Sequence, residues 1–387
     1  MDGVRVPVTD VVRRDYIQRV EARAMRIGWD WQDIEFVPRP YQPTHPHVTA
    51  ISHLWKWADV GPLLREAGQV VEVGQGQGRA ERRVLALVNP GLPGSYYMTQ
   101  NFWGDLQFIA PGESAPCHRH TTSATRFIYE GQGGWSTIDG ERVRVKPGDI
   151  MYAGNWSWHD HGNEGPDNFL FFDVLDNPLL NYLGGACWDF DYASITGSSG
   201  TTAQPAYKPS PRLPISSFGG ARPTFVASGD RNPYYCSLFR LEDTRAYLNS
   251  LRHEVGSDTD GIRIEFLNPA NRGPVSHTYA IYAHLLRPGE HLRTLRRTCT
   301  QVFVGVSGQV TIREGDQVMP LGQNDIAAVS TWRWYSLANE GTEDALFYCI
   351  SDVAVAEKLG VFREQVRLDG QEIRDTDWMP SPWMRVR

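Results

Sequence analysis

Three histidines have the type and spacing that metal chemistry needs: His118 and His120, two apart, and His159 further along. Side chains two apart on a strand leave the same face, so His118 and His120 can present their imidazoles side by side. The turn Pro147-Gly148-Asp149 sets up a later strand that ends near His159, and a small barrel can bring that ring to the same interior point. A lone histidine is more often a hydrogen-bonded core or surface residue than a ligand. It is the arrangement of three that points to a metal site.

The elements that must hold them are mostly strands. From about Val70, short apolar runs alternate with Gly, Pro, Asp and Asn. Arg82–Asn89, Tyr97–Trp103, Leu106–Ala110, Ala124–Tyr129, Gly134–Ile138, Glu141–Val145, Asp149–Ala153 and Asn168–Asp173 read as strands of an antiparallel sandwich or barrel. A helix is expected from Thr9 or Asp10 to about Arg26, with Gly28 as its stop, and others at about Val60–Ala67 and Leu241–Glu254. Strand texture returns from Tyr279 to Ser351.

The second stretch repeats the first. Leu286-Arg-Pro-Gly-Glu matches Ile109-Ala-Pro-Gly-Glu, and Trp332-Arg-Trp-Tyr335 matches Trp156-Ser-Trp-His159. A duplicated β domain follows. The division expected is an arm over 1–69, a first barrel with the metal site over 70–196, a connection over 197–260 and a second barrel over 261–387. The positions matching the three histidines are Leu295, Arg297 and Tyr335. Leucine has no donor atom and arginine stays protonated, so the second barrel is expected to be metal-free and structural.

Composition bounds the rest. A net charge of −7 on 387 residues argues against nucleic acid as a main partner. Five scattered cysteines without a CxxC argue against a disulfide framework or a structural zinc site. No apolar run is long enough to span a membrane, and the N-terminus lacks the apolar stretch of a signal peptide, so a cytoplasmic protein is expected.

The flanking glycines Gly112, Gly131, Gly148 and Gly154, with His159 and Asn163, resemble the two motifs of the cupin superfamily. The usual glutamate ligand would fall at Ala124 or Thr125, which cannot replace it. Three neutral imidazoles with open positions suit Fe(II), with Mn, Ni, Cu or Zn allowed on ligand chemistry alone. Several segments narrow the resemblance: Glu81-Arg82-Arg83 through Pro90-Gly91-Leu92, Pro116-Cys-His-Arg-His120, Arg126-Phe127, Glu130-Gly131, Asp139-Gly140-Glu141, Trp158-His-Asp-His-Gly-Asn163, Asp173 and His53-Leu-Trp-Lys-Trp57. Together the chain resembles the gentisate 1,2-dioxygenase family, which includes salicylate and 1-hydroxy-2-naphthoate dioxygenases. The resemblance implies a mainly β bicupin: two antiparallel β-barrels of jelly-roll type with a helical N-terminal arm. It also implies Fe(II) on His118, His120 and His159, and a homotetramer or homohexamer.

The same resemblance puts Arg82, Trp103, Gln107, Arg126, His161 and Asp173 on substrate-pocket positions, with His161, Asp173 and Arg126 as the catalytic set. Arg126, six residues beyond His120, shares its face if the strand is regular, and its guanidinium suits a planar carboxylate. Arg82 would add a second charge contact. For each arginine alone the alternative is a surface ion pair. His161, two from His159, can take up and return a hydroxyl proton, with Asp173 orienting it. Trp103 would stack on an aromatic ring, whereas Trp156 and Trp158 read as barrel core. The reaction implied joins O2 to a small aromatic hydroxy acid and breaks the bond between its carboxylated and hydroxylated carbons. Salicylate or 1-hydroxy-2-naphthoate is the leading substrate type and gentisate the alternative. A non-oxygenase cupin, an isomerase or decarboxylase, is the competing class.

Overall fold

The computed structural model describes residues 10–25, 46, 48–74, 77–139, 141–192, 237–268, 272–367 and 373–376. Gly28, Cys236 and most of the connection from 197 onward lie outside them. In chain order the first half carries α1 (Asp10–Glu21), β1 (His53–Trp55), α2 (Trp57–Val70), β2 (Arg83–Ala86), β3 (Trp103–Ile109), β4 (Ser114–His120), β5 (Ala124–Glu130), β6 (Gly134–Ile138), β7 (Glu141–Arg144), β8 (Ile150–Ala153), β9 (His159–Asn163), β10 (Phe169–Leu175), α3 (Asn177–Tyr182) and β11 (Trp188–Asp189). The second half carries β12 (Ser237–Phe239), α4 (Leu241–Ser250), β13 (Ile262–Phe266), β14 (Ala280–Leu286), β15 (Leu295–Arg297), β16 (Gln301–Ser307), β17 (Val310–Glu314), β18 (Gln317–Leu321), β19 (Ile326–Val329), β20 (Ser336–Ala338), β21 (Ala345–Ser351), α5 (Val353–Lys358), β22 (Glu364–Arg367) and β23 (Ile373–Thr376).

The first 47 residues form one unit, of which α1 is described, and Val48–Arg387 form a second, which holds both barrels. In the first barrel a sheet ordered β12-β8-β5-β10-β3-β2 faces a sheet ordered β11-β4-β9-β6-β7. In the second, β1-β19-β16-β21-β14-β13 faces two smaller sheets, β15-β22-β23 and β18-β17-β20. Alternation along each strand sends one set of side chains inward and the other toward the neighbouring barrel. Ile109, Ile128, Met151 and Phe171 fill the first interior, while Phe127, Phe172 and Tyr152 join Ile281, Val302 and Tyr348 in a core shared between the barrels.

The repeat extends to hydrogen bonds. Asn163 Nδ2 donates to the carbonyls of Ile109 and Asp167 at 3.1 and 2.7 Å, as Asn339 Nδ2 does to those of Leu286 and Glu343 at 2.9 and 2.8 Å. Trp156 and Trp332 both take left-handed backbone, at φ 60° and 63°. Such backbone is costly for a non-glycine residue. It is held because each N–H donates back to the strand at 2.7 Å, to the carbonyls of His120 and Arg297. Each indole also stacks under an arginine, Arg119 or Arg296. Trp156 and Trp158 are therefore not barrel core as expected: Trp156 is 40% exposed, and both rings clamp Arg119 from outside.

Each half lends its leading segment to the other barrel. β1 pairs with β19, and β12 pairs with β8. The helix after each begins on a carboxylate of the barrel it joins: Asp325 Oδ1 accepts from Trp57 N at 2.7 Å, and Asp149 Oδ1 from Leu241 N at 3.0 Å. A carboxylate there satisfies otherwise orphaned N–H groups and complements the helix dipole.

Four local expectations are corrected. Tyr97–Trp103 and Leu106–Ala110 are not two strands, because one strand starts at Trp103 and the preceding residues form a turn closed by Met98 N to Phe102 O at 3.1 Å. The strand near His159 begins there rather than ending. Helix α1 stops at Glu21, short of Arg26. The segment carrying His118 and His120, absent from the expected strand list, is β4. Among the described residues, no helix is long and apolar enough to cross a membrane.

Candidate metal centre and substrate pocket

β4 and β9 are antiparallel neighbours, and a bulge between Ala115 and His118 sets His118 directly opposite His159. Pro116 lies in this irregularity, where its missing N–H breaks no ladder bond. The ring centroids of His118 and His159 are 4.4 Å apart, and those of His120 and His159 4.7 Å. One ligand atom from each of the three residues lies within 4.8 Å of the others.

The backbone sets the tautomers. His118, His120 and His159 Nδ1 face the carbonyl oxygens of Pro116, Thr122 and Ser157 at 2.9, 2.8 and 2.8 Å. A carbonyl only accepts, so each Nδ1 carries the proton and each Nε2 keeps its lone pair. His159 Nε2 is buried with no hydrogen-bond partner. Burial lowers all three pKa values, His120 to about 4, with Arg82 adding to the effect at His118. Neutral imidazoles with converging lone pairs fit a divalent cation. Thr125, near where a cupin glutamate would fall, instead pairs its Oγ1 with Tyr279 Oη at 3.0 Å, toward the second barrel.

Facing the histidines across a cavity of about 350 Å³ is the other sheet of the barrel. Strand register lines up Asp105, Asp173 and Arg126 on β3, β10 and β5: Asp173 lies opposite both Asp105 and Arg126. Arg126 Nε donates to Asp173 Oδ2 at 3.1 Å, and both side chains are 3% exposed. Gln107 Nε2 reaches the same oxygen at 3.4 Å. Trp103 Nε1 donates to Asp105 Oδ2 at 2.7 Å, and its ring stacks on Tyr96 at 5.9 Å. Burial pushes Asp105 and Asp173 above the ordinary carboxylate range. Nearby Arg82 and Arg126 oppose that rise, and Asp105 pushes Asp173 further up. Arg82, just ahead of β2, brings Nη1 within 3.4 Å of His118 Nε2.

All the expected positions therefore gather in one place. Arg82, Trp103, Gln107, Arg126, Asp173, His118 and His120 line the cavity. His159 and His161 are buried beneath that wall, with His161's ring 6.4 Å from that of His118. Two expectations about how they are held are corrected. Arg126 does not share a strand with His120, because a turn separates β4 from β5 and the two residues face each other from opposite sheets. Asp173 does not orient His161: its Oδ2 is engaged by Arg126 and Gln107, while His161 Nδ1 is 2.6 Å from Ser136 Oγ. His161 Nε2 has no partner.

Five wall residues went unnoticed in the sequence: Val84, Asp105, Leu175, Asn177 and Trp188. Asp105 lies between Trp103 and Gln107 at period two, so strand alternation would have found it. Trp188 carried no such signal, since it reaches the site only because β11 pairs with β4 opposite His120. Phe190, just beyond, stacks on His118 at 5.8 Å.

Residues 105–175 match the cupin domain family model. A gentisate 1,2-dioxygenase from Streptomyces sp is 30% identical over 347 residues, covering 86% of this chain and 93% of that protein. A 5-aminosalicylate 1,2-dioxygenase from Comamonas sp is 32% identical over 325 residues, 83% of each. Among solved structures, salicylate 1,2-dioxygenase from Pseudoaminobacter salicylatoxidans, determined as adducts with gentisate, superposes with TM-score 0.75 at 28% identity and covers 96% of this chain and 97% of that one.

Proposed function

Because the chain belongs to the gentisate 1,2-dioxygenase family of bicupin ring-cleaving enzymes, we propose that it uses Fe(II) and O2 to open a 2-hydroxy aromatic carboxylate. The bond broken joins the carboxylated and hydroxylated ring carbons. Salicylate or 1-hydroxy-2-naphthoate is the leading substrate type and gentisate the alternative. The observation that carries the reading is the cavity itself: neutral imidazoles on one wall, and a buried guanidinium on the other.

In this reading His118, His120 and His159 hold the iron, which when bound supplies the electron path between ring and O2. The protein's own residues do the rest. Arg126 Nη1, buried without a partner, receives a substrate carboxylate oxygen, and Arg82 adds a charge at the histidine side. This orients the ortho-hydroxyl toward the histidines. His161, its ring fixed by Ser136 and its Nε2 free, takes the hydroxyl proton and returns it later. Asp173 and Gln107 hold the Arg126 fork in place. Trp103, held by Asp105 and Tyr96, offers a ring face to the substrate. We also read the assembly as a homotetramer or homohexamer, which light scattering of the purified chain tests.

The deciding experiment is aerobic turnover of Fe(II)-loaded protein with salicylate, 1-hydroxy-2-naphthoate and gentisate, with product followed by absorbance and mass. With labelled O2, both oxygen atoms are expected in the ring-opened oxo diacid. Absence of label would exclude the dioxygenase reading, and equal turnover with Zn(II) would exclude iron as the working metal.

A further inference from the structure

The wall opposite the histidines holds two buried carboxylates, and only one of them is paired with Arg126. Asp105 lies on the next strand, directly across from Asp173. It is 4% exposed, with Oδ2 taken by Trp103, the Gln107 amide close by, and Oδ1 lacking a hydrogen-bond partner of its own. Asp173 Oδ1 also lacks one. A buried acceptor in this condition is costly, and a ligand N–H or O–H relieves the cost. Neighbouring strands lie about 4.7–4.9 Å apart, so Asp105 stands roughly two spacings along the wall from Arg126. In the pose given under Proposed function, the ring edge remote from the ortho-hydroxyl faces this stretch of wall.

We propose that Asp105 is a specificity-determining residue that accepts a hydrogen bond from a hydroxyl or amino group on the ring edge remote from the carboxylate. The enzyme then selects donor-bearing 2-hydroxybenzoates over unsubstituted ones, and disfavours an acceptor such as nitro, whose oxygens face the carboxylate lone pairs. This rests on the substrate pose given under Proposed function, with the carboxylate at Arg126 and the ortho-hydroxyl toward the histidines. It shifts the balance within that substrate class toward gentisate and its amino analogue.

The test measures anaerobic affinities of the Fe(II)-loaded full chain by calorimetry for gentisate, 5-aminosalicylate, salicylate and 5-nitrosalicylate. Wild type, Asp105→Asn and Asp105→Ala are compared. Wild type is expected to bind the hydroxy and amino compounds at least about tenfold tighter than the nitro compound, the scale set by one hydrogen bond to a charged group. Asp105→Asn keeps an acceptor for Trp103 but offers an N–H to the ring, so its amino-to-nitro affinity ratio should fall at least tenfold or invert. Asp105→Ala should lose the discrimination. An unchanged ratio in both variants, or a uniform loss across all four compounds, would overturn the proposal, the second by reducing Asp105 to a prop for Trp103. Aerobic failure to open any of the four rings would instead overturn the dioxygenase reading, while the anaerobic affinities still decide the role of Asp105.

Discussion

At matching positions the two barrels place opposite chemistry on the same wall. The first sets Asp105, Asp173 and Arg126 side by side across three strands. The second sets Tyr282, Cys349 and Phe303 there in the same register. On the facing wall, Ser136 opposite His161 becomes Ile312 opposite Leu337. Where the first barrel has His120 beside Trp188, the second has Arg297 beside Glu364. Arg297 fills the site with its own charge, donating to both Asp260 oxygens at 3.0 and 2.7 Å and to Glu364 at 2.5 Å. One scaffold thus supports either an open cavity with unpartnered polar atoms or a closed core with a saturated ion cluster. The frame is common to both, and interior side chains decide which results.

The largest effect is expected from giving the first barrel the residue of the second. His120→Arg should remove bound metal, measured as iron per chain. It should also lower turnover at least about 100-fold, since loss of a mere outer partner of a ligand already costs about 10–100-fold. Folding is followed by circular dichroism alongside, and His120→Ala is the paired control, because the first barrel offers Trp188 rather than the carboxylates that hold Arg297. Retained iron would break the comparison.

The reverse change tests the closed site. Arg297→Leu strands the Asp260 charge but for its contact with Arg263 at 2.8 Å and should destabilise the chain by roughly 3 kcal/mol in denaturant melts, the low end for breaking a buried pair, whereas Asp260→Leu with Arg297→Leu should recover part of that loss. Equal losses in the two proteins would mean that the pair itself, not the stranded charge, sets the cost.

Acidity separates the barrels more gently. Burial raises Asp260, but Arg297 and Arg263 outweigh it and hold the carboxyl well below the usual range. Its contribution to stability is therefore present above about pH 4 and is lost as pH falls below that. Asp176 and Asp352, which occupy matching positions before α3 and α5, are raised by burial to about 6. The folded chain keeps their protons between about pH 4 and 6 while the unfolded chain releases them, so stability should fall by about 2–3 kcal/mol per residue across that window. Asp176→Asn and Asp352→Asn should each flatten that slope, as read from melting curves at pH 4, 5, 6 and 7. A slope unchanged by either substitution would contradict these burial effects.

The smallest effect concerns the oriented ring. Ser136→Ala frees His161 from its 2.6 Å contact and should lower kcat about five- to tenfold, the scale of one hydrogen bond, with iron content unchanged. Ile312→Ser, the matching change in the second barrel, should leave turnover intact. Loss of iron in Ser136→Ala would move the role of Ser136 from positioning to metal retention.

Much of this was written in local pattern. Short apolar runs bounded by turn residues marked β5, β6 and β8, whose side chains are buried on both faces. The histidine pair, the repeat and the glycine spacings pointed to the three-histidine cluster, since i and i+2 share a face on any strand. Less was legible where partners come from another strand: Ser136 rather than Asp173 beside His161, and Trp188 beside His120. Nor was it legible that β1 and β12 pair with the opposite barrel, because each has only three residues and reads like any short extended segment.

The sequence by itself determined the β texture, the duplication, the three imidazoles and which half carries them, all properties of spacing and side-chain type. Only the tertiary structure decided what faces them. Register between β3, β10 and β5 joins Asp105, Asp173 and Arg126, and the separation of the two sheets leaves a cavity before them. Those relations depend on contacts between residues distant in the chain, which no local periodicity encodes.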